Sequence, residues 1–179
     1  LPISERIGVA GFSAGGYTSL LLLGAEPDPA RRLVYCKQHP KDEELCLQKP
    51  ANAAPLTERR PTADARVRAA FVMAPLAVFF SPETLNQVEH PVYVHAALAD
   101  RTLLPDWNAL AVRDGVARLS GWRGIEGADH YVYLAPCPPA MAQVASAICT
   151  DPPGIDRAAI QAQAATDAIA FFGDTLAER

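Results

Sequence analysis

The stretch Ile7-Gly8-Val9-Ala10-Gly11-Phe12-Ser13-Ala14-Gly15-Gly16 decides the fold of this chain. A short apolar run leads into Gly-x-Ser-x-Gly, and residues 17–23, which suit a helix, follow without a break. This order predicts a strand, a sharp turn and a helix. Such a turn holds its serine in strained backbone geometry while strand and helix pass close together. We therefore predict that Gly11 and Gly15 provide the necessary clearance and that the turn presents the Ser13 hydroxyl as a nucleophile.

The composition is that of an ordinary globular protein. Half of the 179 residues are hydrophobic and a fifth are charged, which suits a single domain over residues 1–179 that buries about 70% of its unfolded surface. The net charge is −4 and no basic stripe is present, so nucleic acid is not an expected partner. No apolar run approaches the roughly 18 residues that a membrane span requires, and we expect a soluble protein.

Four cysteines form two local pairs in the sequence, Cys36 with Cys46 and Cys137 with Cys149. Neither pair has the gap of two to four residues that is typical of a zinc site. We predict two disulfides, with four free buried thiols as the alternative. Disulfides imply an oxidising compartment, so a periplasmic or secreted location is a hypothesis that depends on them. The residues before Ile7 have neither the basic start nor the apolar stretch that is typical of a signal peptide.

Strands and helices are expected to alternate along the chain. The sequence predicts strands from Ile7 and over residues 67–74, 91–98 and 119–125, and helices over 14–24, 107–118, 138–148 and from about 155 onward. Residues 49–64 are predicted to be a loop, and one stripe of the last helix, including Ile155, Ile169 and Phe172, is predicted to pack on the sheet. The fold class is therefore α/β: a doubly wound parallel sheet of about four strands with helices on both faces.

Three residues with catalytic chemistry follow predicted strands. Ser13 follows the first, Asp100 the third and His130 the fourth, and working residues in such sheets lie just past the carboxyl ends of the strands. A serine hydroxyl needs a base to take its proton, and imidazole suits neutral pH. The other histidines lie in the cysteine loop, before a strand or within one, so His130 is the predicted base.

The acid that orients the imidazole is predicted to be Asp100. It ends a buried strand and gives the chain order Ser, Asp, His. Asp129 is adjacent to His130 and would have difficulty folding back onto its ring. Asp106, in the first turn of the next helix, is interpreted as a helix cap.

The motifs resemble those of a known superfamily. Gly-Phe-Ser-Ala-Gly-Gly, the run from Ala97 to Pro105, and Gly-Ala-Asp-His-Tyr-Val-Tyr-Leu-Ala-Pro-Cys from Gly127 resemble the carboxyl-terminal half of an α/β-hydrolase. The chain looks most like the exported bacterial predicted dienelactone hydrolases, and more distantly like platelet-activating-factor acetylhydrolases. The resemblance implies that Ser13 is the nucleophile, Asp100 the acid, His130 the base and the Ala14 N–H one oxyanion donor. True dienelactone hydrolases use a cysteine nucleophile, so the family name does not identify the substrate.

One part of the superfamily pattern is missing from this sequence. The second oxyanion donor of α/β-hydrolases comes from a loop after an earlier strand, and only six residues precede Ile7. The missing strands would leave one edge of the Ser13 strand unpaired. We therefore expect a carboxyl-terminal portion whose sheet is completed by a missing amino-terminal half or by a second chain.

The predicted activity is hydrolysis of small carboxylic esters by a serine hydrolase, through an acyl-enzyme and without a metal or organic cofactor. Two alternatives remain open at this point. One is a lactone, amide or peptide substrate on the same fold. The other is a non-catalytic or incomplete α/β-hydrolase-like binding or assembly module.

Overall fold

Four strands form one parallel sheet in the part of the chain that the structure describes. A computed structural model describes residues 5–46 and 63–177, so most of the predicted loop at 49–64 lies outside the described residues. The strands are β1 (Ile7–Phe12), β2 (Val67–Met73), β3 (Val92–Ala97) and β4 (Leu119–Ile125), in the spatial order β1-β2-β3-β4. The predicted α/β fold and the four predicted strands are confirmed.

Helices connect the strands and cover both faces of the sheet. They are α1 (Ala14–Leu22), α2 (Pro29–Gln38), α3 (Glu43–Cys46), α4 (Pro82–Leu85), α5 (Ala109–Gly115), α6 (Pro139–Val144), α7 (Ser146–Cys149) and α8 (Arg157–Leu176), with 3-10 turns at Pro105–Trp107 and His130–Tyr133. We call the second of these turns the His130 turn.

The period-two pattern of the strands divides the core into two layers. Ala70 and Val72 of β2 point to the face covered by α1, α4 and α5, where most of the buried aliphatic side chains pack. Ala69 and Phe71 point to the other face and pack against Phe171 of α8. Both faces of the central strands are therefore buried from solvent, as is typical of a parallel sheet between helices.

The register of the sheet aligns the carboxyl ends of the strands. Phe12 lies opposite Met73, and Met73 lies opposite His95. Ala97 lies opposite Ile125. The segments that follow β1, β3 and β4 therefore leave the sheet along one edge, which brings residues far apart in sequence to a common site.

Two predicted helices are interrupted. The helix expected over 107–118 is a 3-10 turn followed by α5, and the two meet at Asn108, whose backbone is not helical. The buried Asn108 side chain is held in place there, because its Oδ1 accepts from the N–H groups of Ala77 and Val78 at 2.8 and 3.1 Å. The helix expected over 138–148 is divided into α6 and α7 at Ala145, whose backbone leaves the helical region with φ −131° and ψ 46°.

The predicted stripe of α8 is only partly correct. Ile169 is 76% exposed, whereas Ala164 and Phe171 are buried. Phe172 and Leu176 contribute partly buried side chains to the same layer. Apolar residues recur on more than one side of this alanine-rich helix, so periodicity alone did not identify the buried side.

Candidate active site

Ser13 occupies a strained turn between β1 and α1. Its φ of 54° and ψ of −118° lie in a region that residues with a side chain rarely adopt. Several hydrogen bonds hold this geometry: the Ser13 N–H donates to the Met73 carbonyl at 3.0 Å, and the Ser13 carbonyl accepts from the N–H groups of Gly16 at 2.9 Å and Leu76 at 2.9 Å. The cost of the strained conformation is therefore offset by its surroundings.

The glycines of the turn have unequal roles. A Cβ on Gly11 would lie 2.2 Å from the Gly15 carbonyl oxygen, so only glycine fits where the strand passes the helix. A Cβ on Gly16 would lie 2.7 Å from the Cβ of Pro75. A Cβ on Gly15 would meet nothing within 4 Å, so the prediction that Gly15 provides clearance is wrong. The close approach involves the Gly15 backbone, and its side-chain position faces open space.

Ser13, His130 and Asp100 lie in one chain of hydrogen bonds. The Ser13 Oγ and His130 Nε2 are 3.0 Å apart, and His130 Nδ1 and Asp100 Oδ2 are 2.7 Å apart. A carboxylate only accepts, so Nδ1 carries the imidazole proton and Nε2 accepts from the serine hydroxyl. The His130 side chain is 2% exposed, which shields this chain from competing water. The arrangement can move a proton from Ser13 to His130.

Asp100 is oriented by its own loop. Its Oδ1 accepts from the N–H groups of Thr102 at 2.9 Å and Leu103 at 2.7 Å, which leaves Oδ2 for His130. The carboxylate is buried, and each oxygen has a donor. The short turn after β3 therefore fixes the direction of the carboxylate as well as its position.

The two other aspartates considered as acids have different roles. Asp129 caps the His130 turn, where its Oδ1 accepts from the His130 N–H at 2.8 Å, and its Oδ2 pairs with the Arg101 guanidinium. Asp106 is exposed within the 3-10 turn, and the cap positions there belong to Leu104 and Asn108. The interpretation of Asp106 as a helix cap is therefore wrong.

Side chains of helix α8 form hydrogen bonds to the backbone of the His130 turn, and these contacts were not predicted from the sequence. The Gln161 side-chain amide donates to the carbonyls of Val132 at 3.0 Å and Leu134 at 2.6 Å. The buried guanidinium of Arg157 reaches the Leu134 and Ile148 carbonyls and pairs with Asp151. A polar residue on a helix gives no sequence signal for a backbone partner about 27 positions away.

A buried histidine lies next to this turn. His95 of β3 is fully buried, with Nδ1 2.9 Å from the Tyr133 hydroxyl and Nε2 3.7 Å from Asp167 Oδ2. Burial lowers the pKa of His95 to about 4; Asp167 opposes this shift and Arg123 adds to it. The hydrogen bond from Arg123 lowers the pKa of Asp167 to about 2. His95 is therefore neutral near pH 7, in accord with its interpretation as a core histidine.

Ala14 is the first residue of α1 and directly follows Ser13. The N–H groups in the first turn of a helix have no carbonyl four residues earlier to bond. The positive end of the helix dipole adds to their attraction for an anion. The position of this N–H is suited to a negative oxygen that develops beside Ser13.

Both predicted cysteine pairs are bonded in the structure. Cys36 of α2 is joined to Cys46 of α3, and Cys137 is joined to Cys149 of α7. The second bond closes the segment that follows the His130 turn. The first closes a segment that lines a cavity of about 680 Å³ together with Arg101 and Thr102, the residues next to Asp100.

The described residues contain neither a candidate metal site nor a candidate membrane span. No group of three or more His, Cys, Asp or Glu side chains within residues 5–46 and 63–177 could hold a metal ion. In the same part of the chain, every helix is too short or too polar to cross a bilayer.

The fold of this chain is similar to that of a solved carboxylesterase. No protein-family model matches this sequence, and a search of curated proteins finds no match. The structure is similar to the solved carboxylesterase Cest-2923 from Lactobacillus plantarum WCFS1, with a TM-score of 0.54 and 15% sequence identity. The match covers 98% of this chain and 61% of the carboxylesterase, so the chain spans about three fifths of that protein's length. The likeness shows that the chain has an α/β fold of the kind found in a carboxylesterase of the α/β-hydrolase type.

Proposed function

We propose that this chain is a serine hydrolase of small carboxylic esters, with Ser13 as nucleophile, His130 as base and Asp100 as the acid that orients His130. The observation that carries the proposal is the chain of hydrogen bonds at 3.0 and 2.7 Å from a serine in a strained turn to a buried carboxylate. The fold shared with a carboxylesterase adds support. The resemblance to exported predicted dienelactone hydrolases belongs to the same proposal.

The reaction follows from the roles of these atoms. The Ser13 Oγ attacks the ester carbonyl while His130 Nε2 takes its proton, and Asp100 stabilises the imidazolium. The Ala14 N–H donates to the oxyanion of the tetrahedral intermediate. His130 then gives the proton to the leaving alcohol, and the acyl group stays on Ser13. In the second half, His130 takes a proton from water, the hydroxide attacks the acyl-enzyme, and the acid leaves as Ser13 regains its proton.

A second oxyanion donor is part of the proposal and is assigned to a segment outside the described residues or to a second chain. Losing one such donor costs about a hundred- to a thousand-fold in rate. Two observations support this assignment. The outer edge of β1 has no neighbouring strand among residues 5–46 and 63–177, and the chain spans 61% of the carboxylesterase's length. A strand added at that edge would run beside β1 and end close to Ser13.

The two disulfides support a periplasmic or secreted location, which we propose for this chain. The cavity of about 680 Å³ is lined by Arg101 and Thr102 but not by Ser13, Asp100 or His130, so the small-ester substrate rests on the fold shared with a carboxylesterase. The mechanism assigns no step to a metal or an organic cofactor.

Hydrolysis of p-nitrophenyl esters of increasing acyl length tests the proposal. The parent chain is expected to release p-nitrophenol in proportion to enzyme concentration, and Ser13→Ala is expected to abolish this release. Ser120→Ala is the matched control, because Ser120 is an exposed serine on β4. Equal rates above that of buffer for the parent and Ser13→Ala would reject Ser13 as the nucleophile, and release by the parent no faster than in buffer would favour a binding or assembly module.

A further inference from the structure

A second cavity lies at the opposite edge of the sheet from Ser13. Its volume is about 430 Å³, and Arg6, Arg68, His90, Arg118 and Asp174 contribute to its lining. Arg6 precedes β1, Arg68 is the second residue of β2, and Arg118 directly precedes β4. Because all four strands are parallel, these residues gather at the amino ends of the strands. We call this space the basal cavity.

The lining of the basal cavity is strongly cationic. Three arginines line it, and Asp174 is the single carboxylate among the lining residues that the structure describes. The chain as a whole carries a net charge of −4, so this concentration of positive charge does not reflect a basic composition. It is a local departure from the charge of the rest of the molecule.

Arg68 and Arg118 differ from other arginines of this chain in their partners. Ion pairs with described aspartates are formed by Arg66, Arg101, Arg113, Arg123 and Arg157. Arg68 and Arg118 form no ion pair with any residue that the structure describes. Their donors are therefore available to a ligand.

The two guanidinium groups act on the same space. Burial lowers the pKa of His90, the charges of Arg68 and Arg118 lower it further, and Glu89 opposes them. The charges of both arginines therefore act on the His90 imidazole, which lines the same cavity. Like charges gathered in this way repel one another, and an anion bound among them would relieve the repulsion.

We propose that the basal cavity binds an anion that carries two or more phosphate groups. Guanidinium groups present paired donors that match the oxygens of phosphate, and two or three of them can serve adjacent phosphates at once. A volume of 430 Å³ lies in the range of small-molecule sites. Among the residues that the structure describes, His90 is the one aromatic side chain that lines the cavity, so we assign recognition of the ligand to charge and hydrogen bonding and not to base stacking.

Isothermal titration calorimetry tests this site by measuring the dissociation constant for inorganic pyrophosphate at constant ionic strength. The parent chain is expected to bind, and the double variant Arg68→Gln/Arg118→Gln is expected to bind at least about tenfold more weakly, since each arginine donates charge-assisted hydrogen bonds. The matched control is Arg66→Gln/Arg113→Gln, which removes the same charge from arginines already paired with aspartates. It is expected to bind like the parent.

A second arm separates the two sources of such a ligand. Cosedimentation is measured with phosphatidylcholine vesicles and with the same vesicles containing a phosphorylated inositol lipid. The ligand is a lipid headgroup if the parent binds only the vesicles that contain the inositol lipid and the Arg68→Gln/Arg118→Gln variant binds neither. Pyrophosphate binding without vesicle binding assigns a soluble ligand. The proposal is overturned if the parent binds neither probe, or if the control variant loses as much affinity as the Arg68/Arg118 variant. Circular dichroism of each variant verifies that its fold is intact.

Discussion

The two glycines that flank Ser13 at equal distance in the sequence should respond oppositely to an added methyl group. A Cβ on Gly11 would lie 2.2 and 2.3 Å from the oxygen and carbon of the Gly15 carbonyl, well inside the 3.0 Å that real contacts respect. Those atoms belong to the first turn of α1, which hydrogen bonds to the Ser13 carbonyl hold in place. The strand and helix must therefore separate if Gly11 is replaced.

The expected cost of Gly11→Ala is large. Overpacking typically costs 1–3 kcal/mol, and a backbone clash belongs at the upper end, about 3 kcal/mol. For a chain of this size that free energy lowers Tm by roughly 6–12 °C. Moving Ser13 by about 1 Å would also slow its acylation by about a hundredfold.

Gly15→Ala is the matched comparison. Its Cβ would face open space, and alanine is favoured over glycine in a helix by up to about 1 kcal/mol. We expect a Tm equal to that of the parent or slightly higher. Thermal unfolding followed by circular dichroism measures both variants. A Gly11→Ala variant that unfolds at the parent's Tm, or a Gly15→Ala variant that is destabilised as much as Gly11→Ala, would contradict these expectations.

Three further predictions concern the surroundings of the site. Asp100→Asn should lower kcat for ester hydrolysis by about 10⁴-fold, because His130 would lose the acceptor that fixes its tautomer; a kcat within tenfold of the parent would contradict this. His95 binds its proton more weakly in the folded chain, so the free energy of unfolding should fall by on the order of 3 kcal/mol as the pH drops from 6.5 to about 4. Denaturant titrations at a series of pH values measure this free energy, and in His95→Gln it should depend less on pH over the same range. Asp167, Arg123 and Tyr133 surround that imidazole and remain in the variant. Replacing Cys137 and Cys149 with serine should lower stability by about 3 kcal/mol in the chain-entropy model, and an unchanged Tm would contradict this.

Much of the fold could be predicted from local patterns. Strand β2, predicted over residues 67–74, spans Val67–Met73, because an apolar run that is soon followed by a proline is a local signal. The interruption at Asn108 could not be predicted, since it depends on a hydrogen bond to backbone 30 residues away. The buried side of α8 could not be predicted for a related reason. Apolar residues lie on more than one side of this helix, and which side is buried depends on where the helix packs against the sheet.

The candidate site divides in a similar way. That Ser13, Asp100 and His130 lie together could be predicted, because each follows a strand and the carboxyl ends of parallel strands meet at one edge. The contacts of Gln161 with the Val132 and Leu134 carbonyls could not be found, because backbone carbonyls carry no sequence identity. The clearance assigned to Gly15 was wrong because the motif records the close approach of two segments but not which Cβ would meet the other segment.

The central claim is that Ser13 is an activated nucleophile, and covalent labelling tests it most directly. Intact-mass spectrometry after incubation with a fluorophosphonate should show one added phosphonyl group on this chain and none on Ser13→Ala, with Ser120→Ala labelled like the parent. Peptide mapping should place the group on Ser13. An unlabelled parent chain, or a label that persists in Ser13→Ala, would contradict the account.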